Sequence, residues 1–473
     1  METLAYAALI LVVPASALAF ATLKPHLAAV GTIVFAVLYL PQQVSYDLPV
    51  LPALDKLSIP PLLALVGLLF AGGRRWTTAR LGGLLDWIAV LMLGSVFLSN
   101  ILATQALVYG PLVLPPMRLT DALSHTLRWA LTYVMPYFVG RICCQDSRDA
   151  KDILTLLVVA ALSYLPLMLF ELRMAPTLHY RIYGIQPHMF LQSLRAGGYR
   201  PMVFMGHGLA LAIFIYAALV ASWTLYKARV RVLGFSSLLI SVVLSIAMVL
   251  MKSMGSLLFA CVAVPLGLFT STRTQGKVLV VVCTIVALFP LMRSRGWFPT
   301  DWLVTNIEHY NPDRAQSLEF RFDNEDILLE KATKKPILGW GSAGRARVYD
   351  ADGKDVAITD GDWIILLGGQ GYVGFALQFG LFIGSVLAAR SAARSLRRPE
   401  AALIYGFAWI VTLSAADLLP NGLFNTLLLL ICGCLAGLST GMPREARLAR
   451  KRRRAEQQAA WSNANHPPVA RIP

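Results

Sequence analysis

One polar stretch sets the organisation of this chain, residues 292–363, which read MRSRGWFPTDWLVTNIEHYNPDRAQSLEFRFDNEDILLEKATKKPILGWGSAGRARVYDADGKDVAITDGDW. The stretch is charged and contains many glycines, whereas the sequence on both sides consists of apolar runs near the roughly 20 residues that a helix needs to cross a bilayer. Because lipid offers no partner to irregular backbone, a polar segment of this length is expected to lie in water. The sequence therefore predicts a membrane protein with one large aqueous insert.

The composition excludes a soluble globular enzyme. Of the 473 residues, 57% are hydrophobic and only 14% are charged, which indicates a polytopic membrane protein. The apolar run at 1–23 lacks a basic beginning and a second run follows at once, so we interpret it as a retained span. The net charge of +16 lies mostly in short loops and in the tail at 444–454, as the positive-inside rule expects, rather than in a nucleic-acid-binding surface.

The apolar runs predict an all-α polytopic membrane protein with about 12–13 transmembrane helices. The lower count holds if the first two runs, or the two that flank Lys252, are merged or re-entrant. The approximate spans are 4–22, 27–44, 59–72, 85–103, 126–142, 152–171, 206–226, 233–252, 255–272, 277–292, 363–388, 401–418 and 420–440.

The basic residues predict the orientation of the spans. Most Arg and Lys lie in short loops and in the tail, and we place all of these in the cytoplasm. Residues 293–362 then form one large outer loop, accompanied by outer loops at about 104–125 and 172–205. The predicted divisions are N-terminal transmembrane helices (1–292), the large outer loop (293–362), C-terminal transmembrane helices (363–442) and a basic, disordered cytoplasmic tail (443–473).

The insert is expected to contain a helix. Pro312 suits a first helical turn, and Pro336 ends the helical pattern. The apolar positions Phe320, Ile327 and Leu328 predict that one face of this helix rests on the membrane domain. Such a helix would act as a small platform over a cavity rather than as an independent domain.

Three basic residues lie near outer span ends and are candidates for anion binding. Arg200 precedes a span, Lys252 lies between two apolar runs, and Arg321 lies on the predicted insert helix. Converging on one cavity, the three would neutralise a pyrophosphate, and the planar fork of arginine suits paired hydrogen bonds to phosphate oxygens. The alternative for each is a solvated or snorkelling side chain, and Lys252 is also explained as a turn residue.

Acid–base candidates lie beside the same spans. His207 is either a base or a polar cap on the span that begins near Gly206. Asp360 is the best candidate for a carboxylate that accepts a proton, whereas Asp362 suits the N-cap of the span at Trp363 as well as it suits catalysis. The histidines show no spacing typical of metal ligands, so we expect neither a metal nor a cofactor.

A glycine motif closes the insert. Residues 339–344, GWGSAG, match the pattern G-x-G-x-x-G, but a dinucleotide site requires a preceding strand, and here a helix precedes it. Two interpretations stay open: a simple glycine turn, or a backbone nest in which the N–H groups around Gly339 and Gly341 receive phosphate oxygens.

The order and spacing of several short motifs carry a family resemblance. The motifs are Tyr199-Arg200 through Gly206-His207, Lys252-Ser253, Arg321 through Pro336-x-x-Gly339-x-Gly341, Asp360-Gly-Asp-Trp363, and Gly371-Tyr-Val-Gly374. In these the chain resembles the superfamily of O-antigen ligases and polysaccharide polymerases of bacterial inner membranes. The resemblance covers the chain from about Arg200 to the last span.

The resemblance implies a metal-independent glycosyltransferase that takes a glycan from undecaprenyl pyrophosphate in the periplasm. Members transfer it to lipid A–core, to another lipid-linked repeat or to a protein. By resemblance, Arg200 and Arg321 would hold the donor pyrophosphate. Ligases carry a His-Asn pair where this chain has Asp360-Gly361, which favours a polymerase of exopolysaccharide or O-antigen repeats. Asp360 would then be the base, Arg321 would stabilise the leaving group, and His207 is the other candidate base.

The implied location is the bacterial inner membrane, with the large loop periplasmic and the C-terminus cytoplasmic. The implied partners are the undecaprenyl-pyrophosphate-linked oligosaccharide, a glycan or lipid-linked acceptor, membrane lipids, and proteins of polysaccharide export or chain-length control. No nucleic acid is expected.

Two alternatives stay open. An O-antigen ligase or a protein O-oligosaccharyltransferase would use the same fold with another acceptor. A transporter or flippase of lipid-linked glycans would instead carry ionisable residues at mid-span or broken helices in paired positions. Here the charged residues Asp86, Arg128 and Asp417 lie near span ends.

Overall fold

The structure, a computed structural model, describes residues 2–47, 51–186, 190–195 and 197–465. Within these ranges the protein is built from α-helices, and eight of them are long and apolar enough to cross a bilayer. The predicted class, an all-α polytopic membrane protein, is therefore confirmed.

Eighteen α-helices occur in the described ranges. The first nine are α1 (Glu2–Thr22), α2 (Pro25–Tyr39), α3 (Ile59–Ala71), α4 (Arg75–Ala79), α5 (Leu84–Ile101), α6 (Leu119–Trp129), α7 (Met135–Cys143), α8 (Ser147–Met174) and α9 (Leu178–Tyr183). The other nine are α10 (Gly208–Lys227), α11 (Ser237–Leu250), α12 (Met254–Phe269), α13 (Thr272–Ser294), α14 (Thr300–Glu308), α15 (Pro312–Thr333), α16 (Asp362–Ala393), α17 (Arg398–Asp417) and α18 (Thr426–Asn465).

Each predicted span contains a helix, but the helices differ in length. The candidate crossings by length and composition are α1, α5, α8, α10, α13, α16, α17 and α18, whereas α2, α3, α11 and α12 are shorter apolar helices. The predicted span at 126–142 is divided between α6, a π-helical segment (Ala130–Val134) and α7. Pro136 explains the irregularity, because it offers no N–H to the carbonyl of Thr132, and that carbonyl accepts from the hydroxyl of Thr426 at 3.0 Å instead.

Helix α10 lies at the centre of the bundle. In the most apolar stretch of α10, 89% of the residues are buried, whereas in α1, at the periphery, only 22% are. Close helix packing occurs between α18 and α7, where Gly433, Gly437 and Gly441 recur every four residues on one face of α18. A Cβ at any of the three would collide with backbone oxygens of α7 or of the residues that follow it, so small residues are required at this contact.

Short hairpins connect some of the helices, and each pairs only neighbouring strands. The four hairpins are β1 (Ser45–Tyr46) with β2 (Leu54–Asp55), β3 (Leu107–Tyr109) with β4 (Leu112–Leu114), β5 (Leu194–Arg195) with β6 (Gly198–Tyr199), and β7 (Arg231–Val232) with β8 (Phe235–Ser236). All are antiparallel.

The helix predicted inside the insert is confirmed as α15, but its buried face differs from the prediction. Phe320 and Ile327 are exposed, whereas Leu328 is buried, as are Phe322 before it and Ala332 after it on the same helix. An ion pair fixes this rotation, because Arg293 at the end of α13 contacts Glu325 at 3.3 Å and Asp326 at 2.8 Å. Hydrophobic spacing alone did not reveal that charged residues orient this helix.

In the structure the tail predicted to be disordered is helical as far as Asn465, because α18 continues to that residue. The tail sequence between 444 and 460 is rich in Arg, Ala, Glu and Gln, which are good helix formers, and it extends an existing helix without the cost of nucleation. Residues 466–473 of the predicted tail lie outside the described ranges.

Candidate functional site

An ion pair joins the insert helix to the chain just before α16. Arg321 in α15 places its Nε 3.3 Å from Oδ2 of Asp360, and both side chains are 36% exposed. Helix α15 packs against α16, so a residue two positions before α16 lies within reach of it. The pair therefore places a carboxylate, a group that can accept a proton, beside a cation where the insert meets α16.

Arg200 is a buried arginine with unused hydrogen-bonding capacity. It follows β6 directly and is 8% exposed. Its Nη2 donates to the carbonyl oxygen of Lys252 at 3.3 Å, and its Nε has no hydrogen-bond partner among the described residues. Because a buried donor without a partner is costly, this guanidinium is suited to receive a further acceptor.

Positive charge is concentrated around Arg200. Burial, and after it the charges of Arg195 and Arg321, lowers the pKa of Arg200 to about 10. The guanidinium therefore stays protonated at neutral pH, and the charged side chains that perturb it are cations. An anion placed between Arg200 and Arg321 would relieve this repulsion. The two arginines of the sequence prediction therefore influence each other electrostatically.

Lys252 lies in the turn between α11 and α12, as its position between two apolar runs predicts. Its φ of +50° is a left-handed conformation, which is uncommon for a residue with a side chain. The turn directs its carbonyl to Arg200, and its Nζ lies directly against Gly198 in β6. Lys252 is therefore both a turn residue and a neighbour of Arg200.

His207 is the N-cap of α10, one of its two predicted roles. Its Nδ1 accepts from the backbone N–H of Leu209 at 3.0 Å. A neutral imidazole has one acceptor nitrogen, and here the cap uses it. The next residue, Gly208, lies against the side chain of Arg200, so the cap helps to hold α10 beside the arginine. This geometry favours positioning over general-base catalysis for His207.

Asp362 does not cap α16, so that prediction is wrong. Gly361 occupies the N-cap, and Asp362 accepts from Nε2 of Gln378 at 2.7 Å. In a straight helix these two residues would lie roughly 24 Å apart. Gly371 between them has non-helical angles (φ +66°, ψ −167°), so α16 breaks there and its first part folds back against its second. The Asp362 carboxylate is thereby buried inside the fold.

Gly339 and Gly341 hold the insert against this break instead of forming a phosphate nest. The N–H of Gly339 donates to Lys335 O at 3.1 Å, and that of Gly341 donates to Gly369 O at 3.0 Å. Beyond the break, the N–H of Tyr372 donates back to Pro336 O at 2.7 Å. The predicted phosphate contacts of Gly339 and Gly341 do not fit this geometry, because their N–H groups already have partners. The glycine motif of the insert (339–344) therefore packs against the region of α16 that contains the second glycine motif (371–374).

Asp417 is a site residue that the sequence reasoning missed. It ends α17 with 5% exposure, accepts from Nδ2 of Asn421 at 3.1 Å, and interacts electrostatically with Arg321. Arg321 therefore interacts with two carboxylates, Asp360 and Asp417. The available signal was a carboxylate at the end of an apolar span, which is uncommon without a specific partner.

Within the described ranges, no group of three or more His, Cys, Asp and Glu residues is arranged to hold a metal ion. The site instead consists of cations and carboxylates supplied by the β6–α10 loop, the α11–α12 turn, α15 and the ends of α16 and α17. Comparison with known protein families and with curated proteins finds no match for this chain.

Proposed function

We propose that this protein is a bacterial inner-membrane polysaccharide polymerase of the O-antigen ligase and polymerase superfamily. It transfers a glycan from an undecaprenyl-pyrophosphate-linked donor to a sugar hydroxyl of a lipid-linked acceptor. The observation that carries the proposal is the buried Arg200, whose Nε lacks a described partner and whose charge is repelled by Arg195 and Arg321. A pyrophosphate at the end of a lipid is a multiply charged anion that can reach such a cluster at the membrane boundary.

The proposed topology has about 12–13 crossings, with residues 293–362 in the periplasm and the C-terminus in the cytoplasm. Supporting this orientation, the short loops at the end of the bundle away from Arg200 contain many basic residues, as cytoplasmic loops do. The cluster of Arg200 and Arg321 then faces the compartment in which lipid-linked glycans are assembled.

Arg321 exchanges partners in the proposed reaction. In the structure it pairs with Asp360, and a donor pyrophosphate would compete for the same guanidinium with two parallel hydrogen bonds. Asp360 is then released toward the acceptor hydroxyl, while Asp417 stays near Arg321 and holds it in place.

Transfer itself is a direct displacement. The bond between the anomeric carbon and the pyrophosphate oxygen breaks as the acceptor oxygen bonds to the same carbon. Asp360 takes the hydroxyl proton, and Arg200 and Arg321 stabilise the negative charge on the departing undecaprenyl pyrophosphate. Holding both lipid-linked glycans in line removes much of the entropic barrier to their encounter.

Reconstitution tests this proposal. Purified protein in liposomes that contain an undecaprenyl-pyrophosphate oligosaccharide should give a ladder of lengthened glycans on a gel, also in the presence of a metal chelator. Transfer of a single glycan to lipid A–core without lengthening would assign the ligase instead. Movement of the lipid-linked glycan across the bilayer without any new glycosidic bond would assign the transporter.

A further inference from the structure

A basic cleft of about 1030 Å³ lies at the far end of the helix bundle from the candidate site. Helix α10 begins beside Arg200 and ends at Lys227 in the cleft, and its 20 residues correspond to roughly 30 Å. Six basic side chains line the cleft: Lys227, Arg273, Lys277, Arg390, Arg394 and Arg398.

The positive charge of this cleft has no neutralising partner in the part of the chain that the structure describes. None of the lining residues is a carboxylate, and none of the six cations forms a salt bridge with a described residue. Lys227 is half-buried, and its Nζ donates to Gly267 O at 2.7 Å, which leaves two of its protons for another acceptor. The positive-inside rule accounts for basic residues in each loop, but it does not require three separate segments of the chain to bring them to one hollow.

Neutral hydrogen-bond donors also line the cleft. The hydroxyl-bearing residues Ser271, Thr272 and Tyr405 line it together with the cations. Hydroxyl groups combined with Arg and Lys are the groups with which proteins bind phosphate esters, because each phosphate oxygen can accept from several donors. The chemistry of the lining therefore selects a phosphate-bearing ligand.

The cleft is continuous with a lipid-facing surface. Lys277 lies on the same face of α13 as Val281, Ile285 and Leu288, which follow at helical spacing and are 58%, 54% and 45% exposed. Phe269, next to the cleft residue Thr270, is 84% exposed. In a membrane such side chains contact acyl chains, so a ligand in the cleft can extend its apolar part along α13.

We propose that this cleft is a binding site for an anionic phospholipid, with the phosphate headgroup among the six cations and an acyl chain along the apolar face of α13. A soluble phosphate would use the headgroup contacts but not the apolar face. The site is separate from the glycan-transfer site and does not depend on the function proposed for it.

Native mass spectrometry of the detergent-purified protein measures this binding directly. Phosphatidylglycerol should bind the wild-type protein, and phosphatidylcholine should not. The double substitution Arg390→Gln/Arg394→Gln should weaken phosphatidylglycerol binding about 30-fold, since each cation near an anionic headgroup contributes about fivefold. The matched control is Arg74→Gln/Arg231→Gln, which removes two exposed cations outside the cleft and should leave the affinity unchanged.

Two results would overturn the proposal. One is an equal affinity of phosphatidylglycerol for the cleft variant and the control variant. The other is glycerol phosphate binding as tightly as phosphatidylglycerol, which would assign the cleft to a soluble phosphate ester. If Arg390→Gln/Arg394→Gln does not fold, the double substitution Arg273→Gln/Lys277→Gln replaces it, because both of these cleft residues are exposed. It should weaken phosphatidylglycerol binding to the same extent, measured in the same way.

Discussion

At the scale of single residues, Arg200 combines burial with a surplus of nearby positive charge. Burying a charge is costly unless an opposite charge accompanies it, yet the groups that perturb Arg200 are Arg195 and Arg321. Arg321, by contrast, contacts Asp360 and interacts with Asp417. The two arginines are therefore in different resting states: Arg200 has no counter-ion among the described residues, and Arg321 has one that a stronger anion can replace.

Removing either guanidinium should nearly abolish glycan lengthening. Arg200→Ala and Arg321→Ala are each expected to lower turnover by about 10²–10³-fold, because each removes a donor to the leaving pyrophosphate. Ladder formation in liposomes measures the effect. Arg347→Ala is the matched control, since Arg347 belongs to the same insert and pairs with Asp355 at 2.8 Å but is not among the charges that perturb Arg200. Normal lengthening by either site variant at normal membrane insertion would remove that arginine from the site.

Neutralising the candidate base should reduce the rate and spare donor binding. Asp360→Asn is expected to lower turnover by about 10²–10⁴-fold, the usual contribution of a general base. Because the substitution also frees Arg321 from its ion pair, the affinity for the donor should stay equal or rise. The control is Asp355→Asn, which breaks the other ion pair within the insert. Unchanged turnover in Asp360→Asn would leave proton removal to another group, such as Asp417.

At the scale of elements, the break in α16 holds the site together. Gly371 has backbone angles that only glycine adopts readily. The backbone N–H groups of the next two residues donate to the carbonyl oxygens of Pro336 and Ile337 in the insert. The break folds the start of α16 back onto the helix, which brings Asp360 next to α15. The glycine motifs that suggested a phosphate nest serve this packing.

Adding one methyl group at the break should therefore destabilise the protein. Gly371→Ala is expected to lower the free energy of unfolding by about 1–3 kcal/mol or more, because alanine disfavours these angles and its Cβ would collide with the Ile337 carbonyl. Gly380→Ala in the same helix is the control, since the added Cβ would meet no atom within 4 Å beyond the neighbouring backbone of its own helix. Thermal unfolding in detergent compares the two. Equal stability of both variants would contradict the backbone conformation at Gly371.

At the scale of the whole molecule, the sequence predicted what periodicity and charge determine. Every apolar run became a helix, and Pro312 marked the beginning of α15, because these features act locally. The features that could not be predicted from the sequence are those that depend on tertiary contacts. Asp417 joins the site only because α17 ends beside Arg321, and Asp362 turns inward only because α16 breaks at Gly371. Phe320 is exposed because Arg293 sets the rotation of α15.

Cysteine labelling tests the proposed orientation of the whole chain. Tyr310 in the insert is 91% exposed, and Arg74 lies in an exposed short loop predicted to be cytoplasmic. In a Cys261→Ser background, which removes the exposed native cysteine, a membrane-impermeant maleimide should label Tyr310→Cys in intact spheroplasts. Arg74→Cys should react only after the membrane is opened. The reverse pattern would invert the topology and place Arg200 in the cytoplasm.

The central claim, that Arg200 and Arg321 bind a diphosphate at the membrane boundary, is tested most directly by the affinity of the purified protein for undecaprenyl pyrophosphate. We expect the wild-type protein to bind it at least about tenfold more tightly than undecaprenyl monophosphate, because the second phosphate adds charge-assisted hydrogen bonds. The preference should disappear in Arg200→Ala and Arg321→Ala and persist in Arg347→Ala. Equal affinity for the two lipids in the wild-type protein, or an undiminished preference in both site variants, would contradict the claim.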